Sequence, residues 1–385
     1  MTPDELAARL RQGDPTTILD VRNRDEFDQW HIDGSAVAAT QIPAIRFTQA
    51  EVLGTVSDLA AQFRERPEPV VTVCAEGRAS DHIADLLTDA GVVAENLEFG
   101  MEGWARVYRA TSIDHSDATV IQYDRPSSGC LGYMVVSGSE AVVIDPLRAF
   151  ADRYVDDAKD YGATIVAALD THVHADHVSG VRAVADRTGA TVILPAGATD
   201  RGLSFDARLV EDGASIAVGA TELRAVHAPG HTSEMTAYRL GDLLFVGDSL
   251  FLESVARPDL EEGDTGAPAA ARRLYETVID GDTAFDRDAA FDGDVRIAPG
   301  HYSDPMSADA DGAFVDTLEH IRTRLDAFSM TIDEFVEFVL ADMPPQPTNY
   351  ERIIATNLGI EQLDDAEAFE VELGPNNCAA TKSSA

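Results

Sequence analysis

Short apolar runs bounded by polar turns recur along the chain, and their spacing divides it into two units. In the first, about residues 1–110, strand-like runs at Thr17–Val21, Val70–Val73 and Asn96–Phe99 alternate with helix-patterned stretches at Pro3–Arg11, Val52–Arg64 and Ser80–Asp89. Alternation of this kind predicts an α/β unit with a largely parallel sheet. The short polar stretch Arg109–Ser116 reads as a linker. The second unit, residues 111–370, opens on three successive strand-like runs, Val120–Tyr123, Gly132–Val136 and Ala141–Ile144, which read as antiparallel. Further apolar runs follow at Thr164–Leu169, Leu223–Val226, Leu243–Val246 and Val295–Ala298. Helical patterns fall at Asp152–Tyr161, Val178–Arg187, Ala269–Ile279, Gly312–Leu325 and Ile332–Leu340. From about Gly374 the pattern is lost, and residues 371–385 read as a flexible tail.

The chemistry sits where those apolar runs end. After Thr164–Leu169 comes Thr171-His-Val-His-Ala-Asp-His177, which packs His172, His174, Asp176 and His177 into six positions. Such a density of imidazole and carboxylate is costly to bury without a partner, and a metal ion is the usual one. Three further runs end the same way: His231 in Pro229-Gly-His231, Asp248 in Val246-Gly-Asp248, and His301 in Pro299-Gly-His301. Five of the ten histidines therefore lie in strand-then-turn positions, the place where α/β proteins put their sites. His227, just before Pro229-Gly-His231, reads as structural.

Cysteines are sparse. Cys74 directly follows the Val70–Val73 run, and the loop Cys74-Ala-Glu-Gly-Arg-Ala-Ser80 then opens a helix. Free N–H groups and the positive dipole end of a helix lower a thiol's pKa and stabilise anionic sulfur. Gly77 permits the tight turn, and Arg78 offers positive charge to an anionic sulfur donor. Cys130 lies on an expected strand and reads as a buried residue, and Cys378 in the tail as incidental. An odd, sparse set argues against a disulfide scaffold.

Composition narrows the setting. The formal charge is −39, with 68 acidic against 29 basic residues, and Lys159 and Lys382 are the only lysines. A dispersed acidic excess suits a high-salt cytoplasm, where screening removes self-repulsion, better than it suits a cation-binding or nucleic-acid-mimicking surface. With no basic patch, nucleic-acid binding is not expected. No run approaches the ~20 apolar residues of a membrane span, and the N-terminus lacks the pattern of a signal peptide.

Residues 1–110 resemble the rhodanese family through Leu19-Asp-Val-Arg22 with Glu26-Phe27, His31-Ile-Asp-Gly-Ser35, the Cys74 loop and Gly100-Met-Glu-Gly-Trp104. The resemblance implies that Cys74 carries sulfur as a persulfide. Many rhodanese loops place Arg just before the closing Ser or Thr, whereas here Ala79 stands there and Arg78 one place earlier. The second unit resembles the metallo-β-lactamase superfamily, which implies a four-layer αββα sandwich with metal at one sheet edge.

Within that superfamily two families come closest. Resemblance to glyoxalase II implies two Zn(II)-like ions, one on His172, His174 and His231, the other on Asp176, His177 and His301, with Asp248 bridging. Resemblance to the persulfide dioxygenases implies one Fe(II) on His172, His231 and Asp248, with O2 as co-substrate. The other four residues would then surround that centre. The dioxygenase reading is preferred, because Val255-Ala-Arg-Pro-Asp-Leu260 and Pro344-Pro-Gln-Pro-Thr-Asn-Tyr350 with Asn357-Leu-Gly359 resemble that family's segments, and because a rhodanese handles the same sulfane sulfur. Fusion places both sites at high effective concentration. Arg257 and Tyr302 are expected at the substrate. The expected partners are a small thiol persulfide and sulfite or thiosulfate, in a possible homodimer, with no membrane partner. A non-catalytic sulfur sensor is the third reading.

Overall fold

In the computed structural model the described residues are all but 281–284, 286–294, 342, 376 and 381–385. The first unit is built from α1 (Pro3–Arg11), β1 (Thr16–Asp20), α2 (Arg24–Gln29), β2 (Val37–Gln41), α3 (Ala44–Leu53), α4 (Val56–Ala60), β3 (Val70–Val73), α5 (Arg78–Asp89), β4 (Ala94–Asn96) and α6 (Gly100–Ala105). Its four strands are all parallel, in the order β2-β1-β3-β4. α1 begins at a capping box, with Thr2 accepting from Glu5 N–H and the Glu5 side chain accepting from Thr2 N–H.

Three expectations for this unit need correction. The third strand ends at Asn96, not Phe99, because Phe99 adopts φ +59° and starts the turn into α6. The helix expected over Val52–Arg64 is broken, since Gly54 at φ +67° stops α3 before the short α4 begins. The half-buried edge strand β2 carries too little apolar pattern to announce itself.

The stretch expected as a linker is a strand. β5 (Arg109–Ile113) pairs antiparallel with β6 (Thr119–Arg125), so the second unit's sheet begins only four residues after α6 ends. β7 (Cys130–Ser137) and β8 (Glu140–Ile144) continue the antiparallel run. α7 (Ala151–Asp160), β9 (Thr164–Leu169), α8 (Val181–Thr188), β10 (Thr191–Pro195) and β11 (Arg208–Val210) extend it by parallel crossovers into a seven-stranded mixed sheet. A second sheet holds β12 (Ser215–Val218), β13 (Thr221–His227), β14 (Thr236–Leu240), β15 (Leu243–Gly247), β16 (Arg296–Pro299) and β17 (Asp316–Thr317) in sequence order. Between β15 and β16 lies α9 (Gly263–Val278), and after β17 come α10 (Leu318–Arg324), α11 (Ile332–Ala341), α12 (Tyr350–Asn357) and α13 (Asp365–Val371). α10 is shorter than the helix expected from Gly312, because residues 316–317 pair with β16 first.

The two sheets face each other across one apolar core in which Val135, Val142 and Leu169 meet Leu223, Leu240 and Phe245. α7 and α8 cover the outer face of the seven-stranded sheet through Tyr154, Ala158, Val181 and Val184. α9, α10 and α11 add Leu274, Ile321 and Phe335 on the other side, which completes four layers. Among the described residues no helix is long and apolar enough to cross a membrane.

The expected flexible tail is also corrected. Glu372, Cys378 and Ala380 are buried, and Ala379 bridges Ala256. Residues 381–385 lie outside the described residues.

At the end of β3, α6 presses on the Cys74 loop. Gly100 has φ +56°, and a Cβ there would lie 2.1 Å from the Cys74 carbonyl oxygen. Gly100→Ala should therefore destabilise the first unit by about 2 kcal/mol or more, from left-handed strain and overpacking together. Urea unfolding of variant and parent checks this.

Candidate metal centre and sulfur site

Four strand ends deliver the metal motifs to one edge of the sandwich. His172, His174, Asp176 and His177 follow β9, His231 lies between β13 and β14, Asp248 follows β15 and His301 follows β16. All seven side chains are buried. The structure therefore brings together every residue of the expected metal set, from both sheets.

Within that set three partnerless atoms group together. His172 Nε2, His231 Nε2 and Asp248 Oδ2 are buried and have no hydrogen-bond partner. The two nitrogens lie 3.8 and 3.7 Å from that oxygen. Their outer contacts fix which way the lone pairs face. His231 Nδ1–H donates to the Arg257 carbonyl at 2.8 Å. His172 Nδ1–H donates to Thr171 Oγ1 at 2.9 Å, and Thr171 in turn donates to Asp145 Oδ2 at 2.9 Å. Both rings thus keep an unprotonated Nε2 toward the centre, the usual way outer partners set a metal-binding histidine. Burial holds His172 well below the ordinary imidazole pKa, helped by the charge on His174, and burial likewise lowers His231. Neutral imidazole is the form that binds metal. The donor set fits a cation.

His174 engages carboxylates through Nε2 and leaves Nδ1 buried without a partner. It groups with Asp145 and Asp170, and its Nε2 lies 3.2 Å from Asp145 Oδ1. Burial opposes its charged form, but these two carboxylates outweigh burial and hold its pKa well above normal. His301 spends both nitrogens on carboxylates, Nδ1 on Asp248 Oδ1 at 2.6 Å and Nε2 on Asp176 Oδ2 at 2.8 Å. Burial again opposes charge, and Asp248 and Asp176 overcome it. Asp176 Oδ2 also takes His177 Nδ1 at 3.1 Å and the Cys130 thiol at 3.2 Å. Burial and the charge on His174 act against the His177 imidazolium, yet Asp176 raises its pKa to about 9. Asp176 Oδ1 and His177 Nε2 are left without partners, so Cys130, Asp176, His177 and His301 form a second, adjacent four-residue cluster.

Two expected substrate residues have other duties. The Arg257 guanidinium is committed to Asp259 at 2.7 and 2.8 Å and to the Pro345 and Asn377 carbonyls at 3.0 Å each. What it gives the site is its own carbonyl, which orients His231. Tyr302 stacks on Phe314 with ring centroids 3.7 Å apart, and its hydroxyl points to Asp124 at 3.5 Å. His227 Nε2 bonds the Ser233 carbonyl at 3.0 Å, and the residue is exposed, apart from the buried set.

Several residues around the centre were not anticipated. Asp145 ends the apolar run of β8 just as Asp248 ends that of β15, so the same strand-then-carboxylate signal could have found it. Glu234 accepts from Val173 N–H at 2.8 Å, between the first two histidines. Asn357 Nδ2 donates to the carbonyls of both His174 and His177 at 2.9 Å. Cys378, expected to be incidental, groups with Asp248 and His301. Asn357 belongs to the Asn357-Leu-Gly359 segment already singled out by resemblance, but its contact with the metal loop was not read, and nothing local in the sequence marks Glu234 or Cys378.

In the first unit Cys74 lies at the end of β3, with Gly77 N–H donating to Sγ at 3.1 Å and the Ser80 hydroxyl at 3.2 Å. Burial pushes the thiol up, but the Ser80 hydroxyl and the N–H groups of Ser80, Glu76 and Ala79 outweigh it, and the net shift is downward. Arg78 is at the exposed start of α5, paired with Glu76 at 2.8 Å. The pocket can hold a sulfur anion on dipoles and hydrogen bonds, with Arg78 at its rim.

Fold and site together define a protein of two enzyme-type domains, a rhodanese-like domain followed by a metal-binding sandwich. The rhodanese-like domain family matches residues 2–107, and the metallo-beta-lactamase superfamily matches residues 127–301. The chain carries one domain of each and is homologous to persulfide dioxygenase ETHE1 and to glyoxalase II. It is 29% identical over 224 residues to the mitochondrial persulfide dioxygenase ETHE1 of Homo sapiens, covering 57% of this chain and 78% of that protein. A hydroxyacylglutathione hydrolase of Rhodospirillum rubrum is 37% identical over 126 residues, 32% of this chain and 47% of that protein. Among solved structures, a metallo-beta-lactamase from Staphylococcus aureus matches with TM-score 0.55 at 25% identity, over 65% of this chain and 75% of that one. ETHE1 from Myxococcus xanthus shares the fold with TM-score 0.50 at 24% identity, over 66% of this chain and all of that one.

A lowered Cys74 pKa means that thiolate persists to lower pH than for an ordinary thiol. Ser80→Ala removes one donor and should move the pH midpoint of Cys74 alkylation upward, slowing alkylation at neutral pH several-fold. Rates with iodoacetamide across pH 5–10 check the direction. Separately, Asp248→Ala should lower metal stoichiometry, measured by elemental analysis, because it removes the only carboxylate of the three-atom set.

Proposed function

We propose that the chain is a bifunctional sulfur enzyme. Its sandwich oxidises the outer sulfur of a small thiol persulfide with dioxygen, and its rhodanese-like domain carries sulfane sulfur on Cys74. The reaction balances as persulfide, dioxygen and water giving thiol, hydrogen sulfite and one proton. The outer sulfur loses four electrons and dioxygen accepts them. The observation that carries the reading is the convergence of His172 Nε2, His231 Nε2 and Asp248 Oδ2 as one close orphaned set, while His301 spends both nitrogens on carboxylates and His174 gives its Nε2 to Asp145. Two histidines and one carboxylate are the ligand set of non-haem Fe(II) oxygenases. A ferrous ion held there would supply the electron-transfer chemistry with dioxygen that no side chain provides.

The chain's own residues do the rest. His172 and His231 stay neutral and Asp248 ionised, so the set brings one negative charge to a divalent ion and leaves the centre attractive to an anionic persulfide. His301 holds a proton between Asp248 and Asp176 and thereby keeps two neighbouring carboxylates ionised side by side. The buried surroundings limit water and strengthen each of these interactions. In the first unit the Cys74 loop steadies an anionic sulfur, which suits either loading the thiol or passing sulfur to sulfite to give thiosulfate. The relatives support this reading, since one of them is a persulfide dioxygenase.

A second reading has one specific observation in its favour. Asp176 Oδ1 and His177 Nε2 are orphaned in a cluster beside the first, and a relative of the sandwich is a hydroxyacylglutathione hydrolase. Two ions of Zn(II) type there would make the sandwich a thioester hydrolase with an accessory rhodanese-like domain.

Fe(II)-loaded protein given glutathione persulfide in concentrated KCl should consume oxygen and form sulfite. Asp248→Ala should abolish that uptake and leave sulfur transfer at Cys74 in place. Absence of oxygen uptake, together with a second equivalent of bound metal and hydrolysis of an acylglutathione, would move the sandwich to the hydrolase reading.

A further inference from the structure

We propose that Arg125 is a positioning residue for the metal loop, through which docking of the rhodanese-like domain sets the placement of Asp176 and His177. The inference rests on the metal site and holds whichever reaction that site performs.

Arg125 ends β6, and the turn that follows faces two ways. On one side, three elements of the first unit reach residues 124, 125 and 127. Arg11 at the end of α1 donates to Asp124 Oδ1 at 2.8 Å. Arg125 Nε donates to the carbonyl of Ala105 at the end of α6 at 2.9 Å. Trp30 Nε1, just after α2, donates to the Ser127 carbonyl at 3.1 Å. Residues far apart in the first unit thus converge on three residues within one four-residue stretch.

On its other side the same turn holds the metal loops. Arg125 Nη1 donates to Glu372 Oε1 at 2.7 Å, and Glu372 Oε2 accepts from Val178 N–H at 3.1 Å. Val178 directly follows His177. Farther along, Cys130 donates to Asp176 at 3.2 Å, and Leu131 N–H donates to the Gly300 carbonyl at 2.8 Å. Tyr302 N–H donates to the Gly129 carbonyl at 3.1 Å, so the turn brackets His301 as well.

The chemistry of the pair argues for a geometric role. Arg125 and Glu372 side chains are each only 1% exposed, and Arg125 lies over the rings of Phe150 and Phe369. A buried ion pair adds little stability over well-packed apolar residues, whereas a guanidinium fork fixes two partners in one plane. Here one edge of the fork is fixed by the first unit and another by the residue that holds the metal loop. A lysine at this position has one nitrogen and cannot span both.

The test uses the full chain, stripped of metal and titrated with Co(II), with affinity read by chelator competition and site geometry by the visible absorption spectrum. Arg125→Ala should weaken Co(II) binding about 10- to 100-fold, the range seen when outer-shell partners are removed, and should change the spectrum. Arg125→Lys should restore part of the affinity through Glu372. Trp30→Phe, which removes one donor from the docking face and leaves the sandwich untouched, should shift the same spectrum in the same direction by less. Parent affinity and parent spectrum in Arg125→Ala would overturn the proposal. So would weaker binding with an unchanged spectrum and no rescue by lysine, which would make Arg125 a matter of general stability. If Arg125→Ala does not fold, the decision passes to Trp30→Phe and Arg125→Lys, and parent behaviour in both overturns it.

Discussion

The constraint on which the second unit depends is the cost of burying charge. One edge of the sandwich hides His172, His174, His177, His231 and His301 together with Asp145, Asp170, Asp176 and Asp248. Isolated ions in such a setting would be prohibitively costly, so each must be paired, neutral or bound to a cation. The chain uses all three solutions. Carboxylates favour the charged forms of His174, His177 and His301, burial disfavours charge on His172 and His231, and the facing atoms of His172, His231 and Asp248 are left without partners, open for an ion. Strand ends from both sheets are needed to collect these groups, which makes the sandwich a consequence of the site as much as its support.

The same accounting explains how arginine is used. With only two lysines in the chain, arginines carry the well-buried ion pairs: Arg22 with Asp20, Arg125 with Glu372, Arg201 with Glu234 and Arg257 with Asp259. Three of these four stand one contact from the functional residues. Glu234 holds Val173, Glu372 holds Val178, and Arg257 offers the carbonyl that orients His231. The metal loop is therefore gripped from outside at both ends by carboxylates, Glu234 and Glu372, each of which also accepts one arginine N–H.

The first unit solves a smaller version of the same problem. One sulfur at a strand end is turned toward loop N–H groups and the Ser80 hydroxyl, and the close approach of Gly100 and Gly77 makes the loop narrow enough to reach it. Among the described residues the contacts to the sulfur are the Gly77 N–H and the Ser80 hydroxyl, so backbone dipoles and one hydroxyl carry the stabilisation, and Arg78 stays in solvent.

What was legible in the sequence was whatever repeats locally. Alternating runs announced the parallel unit, and four strand-then-turn positions announced His172 to His177, His231, Asp248 and His301, because a metal motif on a strand end is a short-range pattern. Cys74 was legible for the same reason, as a thiol at the mouth of a helix. Local pattern failed where long-range pairing decides the outcome. Arg109–Ile113 is polar and half-exposed, and only the partner strand at Thr119–Arg125 makes it β5. The last residues lack periodicity, yet Glu372 and Cys378 are buried because the metal loop and the strand-end turns supply their partners. The expected substrate roles of Arg257 and Tyr302 met the same limit, since whether a donor is free depends on neighbours such as Asp259, Pro345 and Asp124. The sequence by itself determined which groups gather and in which chemical families. The tertiary structure alone decided which atoms stay unpartnered and which unit grips which loop, because hydrogen-bond saturation and burial are properties of neighbours in space, not along the chain.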